Sequence, residues 1–235
     1  MSSLFNNYLY NPLLSFLIYL YHHYSFNDIG IAVIVLTILV RVVLFPIFYK
    51  GAKDQAIMAK IAPKLKEIQI KHKDDKEKQV KETMALYKEH NVNPFSQIFL
   101  LIIQLPILIA VFRIFSIGIK TISNLNPYFL GVVNLTEKNL IIVVLAAIFQ
   151  FYQSKLMLPK SAMKSKDLSP AERVSKQMMY IGPIMTIVIF YSLPSAIGLY
   201  WLTFSAFSVI QQIVINKRIN INQELKEEGK KLGIE

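Results

Sequence analysis

Long apolar blocks alternate with charged segments along this chain. Five blocks, residues 28–48, 94–117, 139–158, 178–193 and 197–216, are almost free of charge. Runs of about 20 such residues are the length a helix needs to cross ~30 Å of hydrocarbon. Asp28 opens the first block as an N-cap, and Pro94 opens the second as a first-turn proline. Pro106 predicts a kink within the second block. The fourth block is only about 24 Å long at 1.5 Å per residue, which points to local thinning of the bilayer.

The segments between the blocks have their own patterns. Residues 49–93 carry eleven lysines against seven acids. Ile57, Ile61, Leu65 and Ile68 recur at helical spacing, as do Val80, Met84 and Tyr87. Glu67/Lys71, Asp74/Lys78 and Glu77/Lys81 sit four apart, and Lys71 to Asp75 reads as the turn. The expectation is a helical hairpin standing in water, kinked at Pro63, with Lys64, Lys66 and Tyr87 among its candidate contact residues. Its apolar seam is thin, which predicts mobility; the plainer reading is a solvated charged loop. Residues 1–27 contain the run Pro12 to Tyr21, too short to span and rich in tyrosine. They read as an interfacial helix, or else as a frayed tail, and no signal peptide is visible. Residues 118–138 form an outer loop, 159–177 a second basic loop, and 217–235 a charged tail.

Composition narrows the class. The 235 residues are 54% hydrophobic, with mean hydropathy +0.41 and formal net charge +11. Most Lys and Arg lie in 49–93, 159–177 and 217–235, so the positive-inside rule places those segments in the cytoplasm and the N-terminus outside. Topology therefore accounts for the basic charge without a specific nucleic acid partner. There is no cysteine, no His/Asp/Glu grouping with metal spacing and no glycine-rich phosphate loop. The expectation is a non-enzyme with no cofactor and no metal: an all-α polytopic membrane protein.

One residue breaks the pattern. Arg41 lies deep in the first block, about 13 Å from Lys50, the next charge on its helix. A guanidinium there costs roughly 2.5–3.5 kcal/mol on the insertion scale, and the distance argues against snorkelling. Apart from Asp28 at the very start of the first, the five blocks contain no Asp or Glu. Water, Thr37, Gln104, Gln150, Gln153 and the hydroxyls of Ser205 and Ser208 remain as partners, so the spans are expected to enclose a wet groove with a positive floor. The glutamines also read as interhelical glue, and Trp201 as an interfacial belt residue. Arg113, near the outer end of its block, reads as a snorkelling residue, and Met157, Met163, Met178 and Met179 as apolar packing.

Four stretches carry a resemblance. They are Gly30 to Pro46 with the sequence Leu36-Thr-Ile-Leu-Val-Arg-Val-Val-Leu-Phe-Pro, Ala62 to Gln69 with Ala85 to His90 and Asn93-Pro94, Gln104-Leu-Pro-Ile, and Leu193-Pro-Ser-Ala-Ile-Gly-Leu-Tyr-Trp running on to Gln211-Gln212. In this order the chain resembles the YidC family of membrane-protein insertases, with its Oxa-type and Albino-type relatives. It would be the short, five-span form, lacking a large extracytoplasmic domain and a long basic tail. The resemblance implies a groove arginine at Arg41, with Gln104, Gln153 and Trp201 at matching positions; Gln150 joins them by spacing, and Thr37 as a polar side chain of the first block. It implies nascent membrane proteins as clients, with a Sec-type translocon and the ribosome as candidate partners; the basic hairpin adds a targeting receptor and anionic lipids. The rival class is a small anion channel or transporter using Arg41 as a selectivity charge.

Overall fold

The computed structural model describes residues 3–118, 125–158 and 170–231. It is mostly helical. A helical turn and a π-helical segment, Asn6–Tyr10, lead into α1, Asn11–His23. Then follow α2, Ile29–Val43; α3, Phe45–Lys71; α4, Lys76–Glu89; α5, Ser96–Arg113; α6, Leu140–Met157; α7, Pro170–Phe190; and α8, Ser195–Lys231. A small antiparallel pair, β1 (Tyr128–Phe129) and β2 (Val133–Asn134), precedes α6.

Among the described residues, three helices are long and apolar enough to cross a membrane: Ile98–Ser116, Leu140–Met157 and Ser195–Arg218. A fourth candidate is a bent pair, Ile29–Val43 with Phe45–Met58, whose axes meet at 65°. The apolar stretch Lys176–Phe190 is shorter than these. Outward side chains such as Ile141, Val188, Ile189 and Ile213 are exposed, a surface that hydrocarbon covers without cost and water does not.

Two local features depart from the sequence reading. The first block is no single helix: Pro46, in the first turn of α3, has no N–H to continue the ladder, and Leu44 becomes the joint. The second helix begins at Ser96, beyond Pro94, with Asn93 Oδ1 accepting from Phe95 N. The charged C-terminal segment continues α8 without a break as far as Lys231. Most of the basic loop 159–177, with Met163, lies outside the described residues.

The bundle is packed at one end and hollow at the other. The packed end joins the starts of α2, α6 and α8 to the ends of α5 and α7, through Ile29, Val33, Ile114, Val143, Phe190 and Ile197. Leu17, Leu20 and Tyr21 of α1 add to that core. Asp28 caps α2, its Oδ1 accepting from Gly30 N and Ile31 N, while its Oδ2 accepts from Leu130 N at 2.6 Å. Gly30 is required here, since a Cβ would stand 2.2 Å from the Phe129 ring. Ser195 N and Ala196 N donate to Glu137 O and Leu135 O, tying α8 to the same loop. Arg113 is half-buried: its Nη1 donates to Asn6 Oδ1 at 2.7 Å and its guanidinium lies 4.8 Å from the Tyr10 ring, anchoring the N-terminal segment.

A candidate polar cavity around Arg41

At the hollow end, Arg41 is only 3% exposed. It sits in the last turn of α2, just before the Leu44 joint, and faces α8. Its Nη2 donates to Ser208 Oγ at 2.8 Å and to Gln211 Oε1 at 2.5 Å. The faces of Phe48 and Phe204 lie 4.2 and 4.5 Å from its guanidinium carbon, with Phe207 at 5.4 Å. Cation–π contacts of this kind contribute about 0.5–2 kcal/mol each when desolvated. Phe48 reaches the guanidinium because the chain turns at Leu44; one straight helix would place residues 41 and 48 two turns apart along the same rod. No carboxylate is paired with Arg41 among the described residues, and its Nε and Nη1 have no hydrogen-bond partner there.

Arg41 lines a cavity of about 270 Å³. The helices α2, α3, α5, α6 and α8 all contribute to the wall, and Arg41, Gln104, Gln150, Gln153 and Trp201 are together in it. Gln104 Nε2 donates to Tyr200 Oη at 2.6 Å, so this glutamine also joins α5 to α8. Gln150 Oε1 accepts from Trp201 Nε1 at 3.2 Å and from Thr186 Oγ1 of α7. Gly182 permits α7 to come this close, because a Cβ there would stand 3.1 Å from Gln150 Nε2. Trp201 stacks between Phe190 and Phe204, with centroids at 5.3 Å on each side. Aromatic contacts thus run unbroken from α7 to the guanidinium.

Thr37 is the exception among the expected residues. It is absent from the cavity wall; its hydroxyl donates to Val33 O at 2.6 Å, one turn back in α2. Ser205 is buried without a partner rather than bonded to Arg41. Gln211, Phe48 and Phe204 are partners that sequence reasoning missed as such. One signal was available: residues 201, 204, 208, 211, 212 and 215 follow the 3.6-residue period of a single face of α8.

Beyond the cavity, α3 and α4 form a helix pair closed by the turn at 72–75. His72 Nε2 lies 2.9 Å from Glu82 Oε2, and Gln79 Nε2 donates to Gln69 O. Ile61, Ala62 and Leu86 are buried, whereas Pro63, Lys64, Val80 and Met84 are exposed. Lys66 and Tyr87 are half-buried, and burial raises the Tyr87 phenol above its usual pKa. At the base of the pair, Asp54 is 4% exposed and accepts from Ser96 Oγ; Gly51 lies beside Leu100, and a Cβ there would stand 2.5 Å from its Cδ1. The described residues contain no His, Cys, Asp and Glu grouping able to hold a metal ion.

The chain matches one family, two named relatives and one solved structure. The family described as 60Kd inner membrane protein matches residues 2–224. A protein of Fusobacterium nucleatum subsp. nucleatum named membrane protein insertase YidC is 34% identical over 223 residues, covering 90% of this chain and 98% of its own. A protein of the same name from Oceanobacillus iheyensis is also 34% identical, covering 82% of this chain and 76% of its own. In three dimensions the chain is similar to an active YidC insertase crystal structure, with TM-score 0.63 and 23% identity. That likeness covers 89% of this chain and 46% of the longer solved one, and it concerns the fold.

Proposed function

The chain belongs to the 60Kd inner membrane protein family, that of the YidC membrane protein insertases, and from that premise we propose that it moves nascent membrane proteins from the cytoplasmic side into the bilayer through the Arg41 cavity. The observation that carries this reading is a buried guanidinium in a polar cavity with no paired carboxylate among the described residues. Its missing counter-charge is supplied by the client. Moving a polar, acidic tail through ~30 Å of hydrocarbon is the expensive step, and a hydrated half-depth groove shortens the dry path. The emerging apolar helix then passes sideways into lipid, favoured by burial at roughly 25 cal/mol per Å². No bond is made or broken in this process, and no cofactor takes part.

In this reading the bent pair Ile29–Met58 and the short Lys176–Phe190 complete a set of five spans. The N-terminus and the β1–β2 loop lie outside, with α1 at that interface. The hollow end, the α3–α4 pair and the C-terminus lie in the cytoplasm. The helix pair is a cap over the groove that meets anionic head groups, and a targeting receptor, a Sec-type translocon and the ribosome are the candidate partners. An anion channel or transporter finds no comparable support, since both relatives described above carry the insertase name.

The test uses purified protein in vesicles. Single-span clients with acidic tails insert in its presence, and the bilayer shows no anion conductance. Conductance without insertion would replace this reading with the channel.

A further inference from the structure

Three buried donor atoms around the cavity have no partner among the described residues: Arg41 Nε, Arg41 Nη1 and Gln211 Nε2. Both residues line the cavity. The orientation of the Gln211 amide follows from chemistry. A guanidinium only donates, so Gln211 turns Oε1 to Arg41 Nη2 and its two N–H donors away from it. Ser208 Oγ accepts from Nη2 and gives its own proton to Phe204 O at 2.8 Å, so it brings no spare donor. Phe48 and Phe204 hold the guanidinium by cation–π contact, which consumes none of its N–H donors. Charge and free donors coincide here, and such a cluster favours a ligand that only accepts.

We propose that Arg41 and Gln211 form a site for a small monovalent anion, either a carboxylate or an inorganic ion such as chloride. Gln211 is the second binding residue, and an inorganic ion held at rest is displaced by the carboxylate of an incoming chain. The proposal extends the insertase reading and rests on it only for the origin of that carboxylate.

Trp201, the single tryptophan of the chain, lines the same cavity and reports on it. The experiment uses the full chain in zwitterionic nanodiscs, with iodide as an anionic quencher and acrylamide as a neutral one. Iodide quenching of the wild type contains a saturable phase that chloride or acetate reverses. Gln211→Glu brings a carboxylate to Arg41 and abolishes that phase. Gln211→Met, of similar length but without donors, weakens iodide affinity by about tenfold, the loss of one charge-assisted hydrogen bond. Acrylamide quenching stays the same in Gln211→Met, which reports an intact cavity. Acetate competing at lower concentration than chloride assigns the site to carboxylates; the reverse order assigns it to inorganic ions. Iodide quenching that is linear in the wild type, or that saturates equally in both variants, overturns the proposal. Saturable quenching in a protein indifferent to client tail charge keeps the anion site and removes the client reading.

Discussion

Replacing Arg41 with leucine separates a working charge from a structural one. The substitution removes two hydrogen bonds from a charged donor, at about 1.5–3 kcal/mol each. It also removes cation–π contact with Phe48 and Phe204, about 1 kcal/mol each. The gross loss is about 5–8 kcal/mol. Against it stand the membrane cost of the guanidinium, about 2.5–3.5 kcal/mol, and two buried donors without partners, about 1–3 kcal/mol each. These offset the loss to within roughly 2 kcal/mol, so Arg41→Leu should leave stability nearly unchanged. Insertion of acidic-tailed clients should fall by about ten- to hundredfold, the worth of one charge-assisted contact. Arg41→Lys keeps the charge while losing the two-pronged contact with Ser208 and Gln211, and should retain most of the activity. Reversible unfolding in mixed micelles, followed by Trp201 fluorescence, measures the first quantity; reconstituted insertion of matched acidic and neutral tails measures the second. A loss of more than about 4 kcal/mol, with insertion falling only as far as the folded fraction, would refute the reasoning and make Arg41 a scaffold residue.

Two further outcomes follow from contacts elsewhere. Gly30→Ala drives a Cβ into the Phe129 ring and should cost about 1–3 kcal/mol in thermal unfolding; Phe129→Ala in the same chain should recover part of that loss, and no recovery would point to helix geometry instead. Gln150→Leu leaves Trp201 Nε1 and Thr186 without their shared acceptor and should cost about 1–3 kcal/mol, with a shift in Trp201 emission; an unchanged spectrum would mean that the bond is not formed in the bilayer.

The helical membrane class was legible because a spanning helix must be apolar over its length, and that pattern survives without knowledge of neighbours. Arg41 was legible for the same reason: a charge in an apolar run is an anomaly whatever surrounds it. Its partners were not. Periodicity sorts Ser208 and Gln211 onto one face of α8 but does not say which helix lies opposite. Phe48 was hidden further, because its contact depends on the turn at Leu44 that Pro46 imposes. Thr37 misled in the other direction: four residues before Arg41 it shares a face with it, yet its hydroxyl is consumed within its own helix. The β1–β2 pair is only two residues per strand, too short for an alternating pattern to register.

Insertion by this route requires a client's polar tail to enter the Arg41 cavity. A photoreactive residue in place of Gln153, which lines that cavity, tests it most directly. With ribosome-bound single-span clients, position 153 should crosslink to the acidic tail, and those crosslinks should weaken when Arg41→Leu is added. Crosslinks from an outward position such as Val188 on α7, with none from position 153, would contradict it.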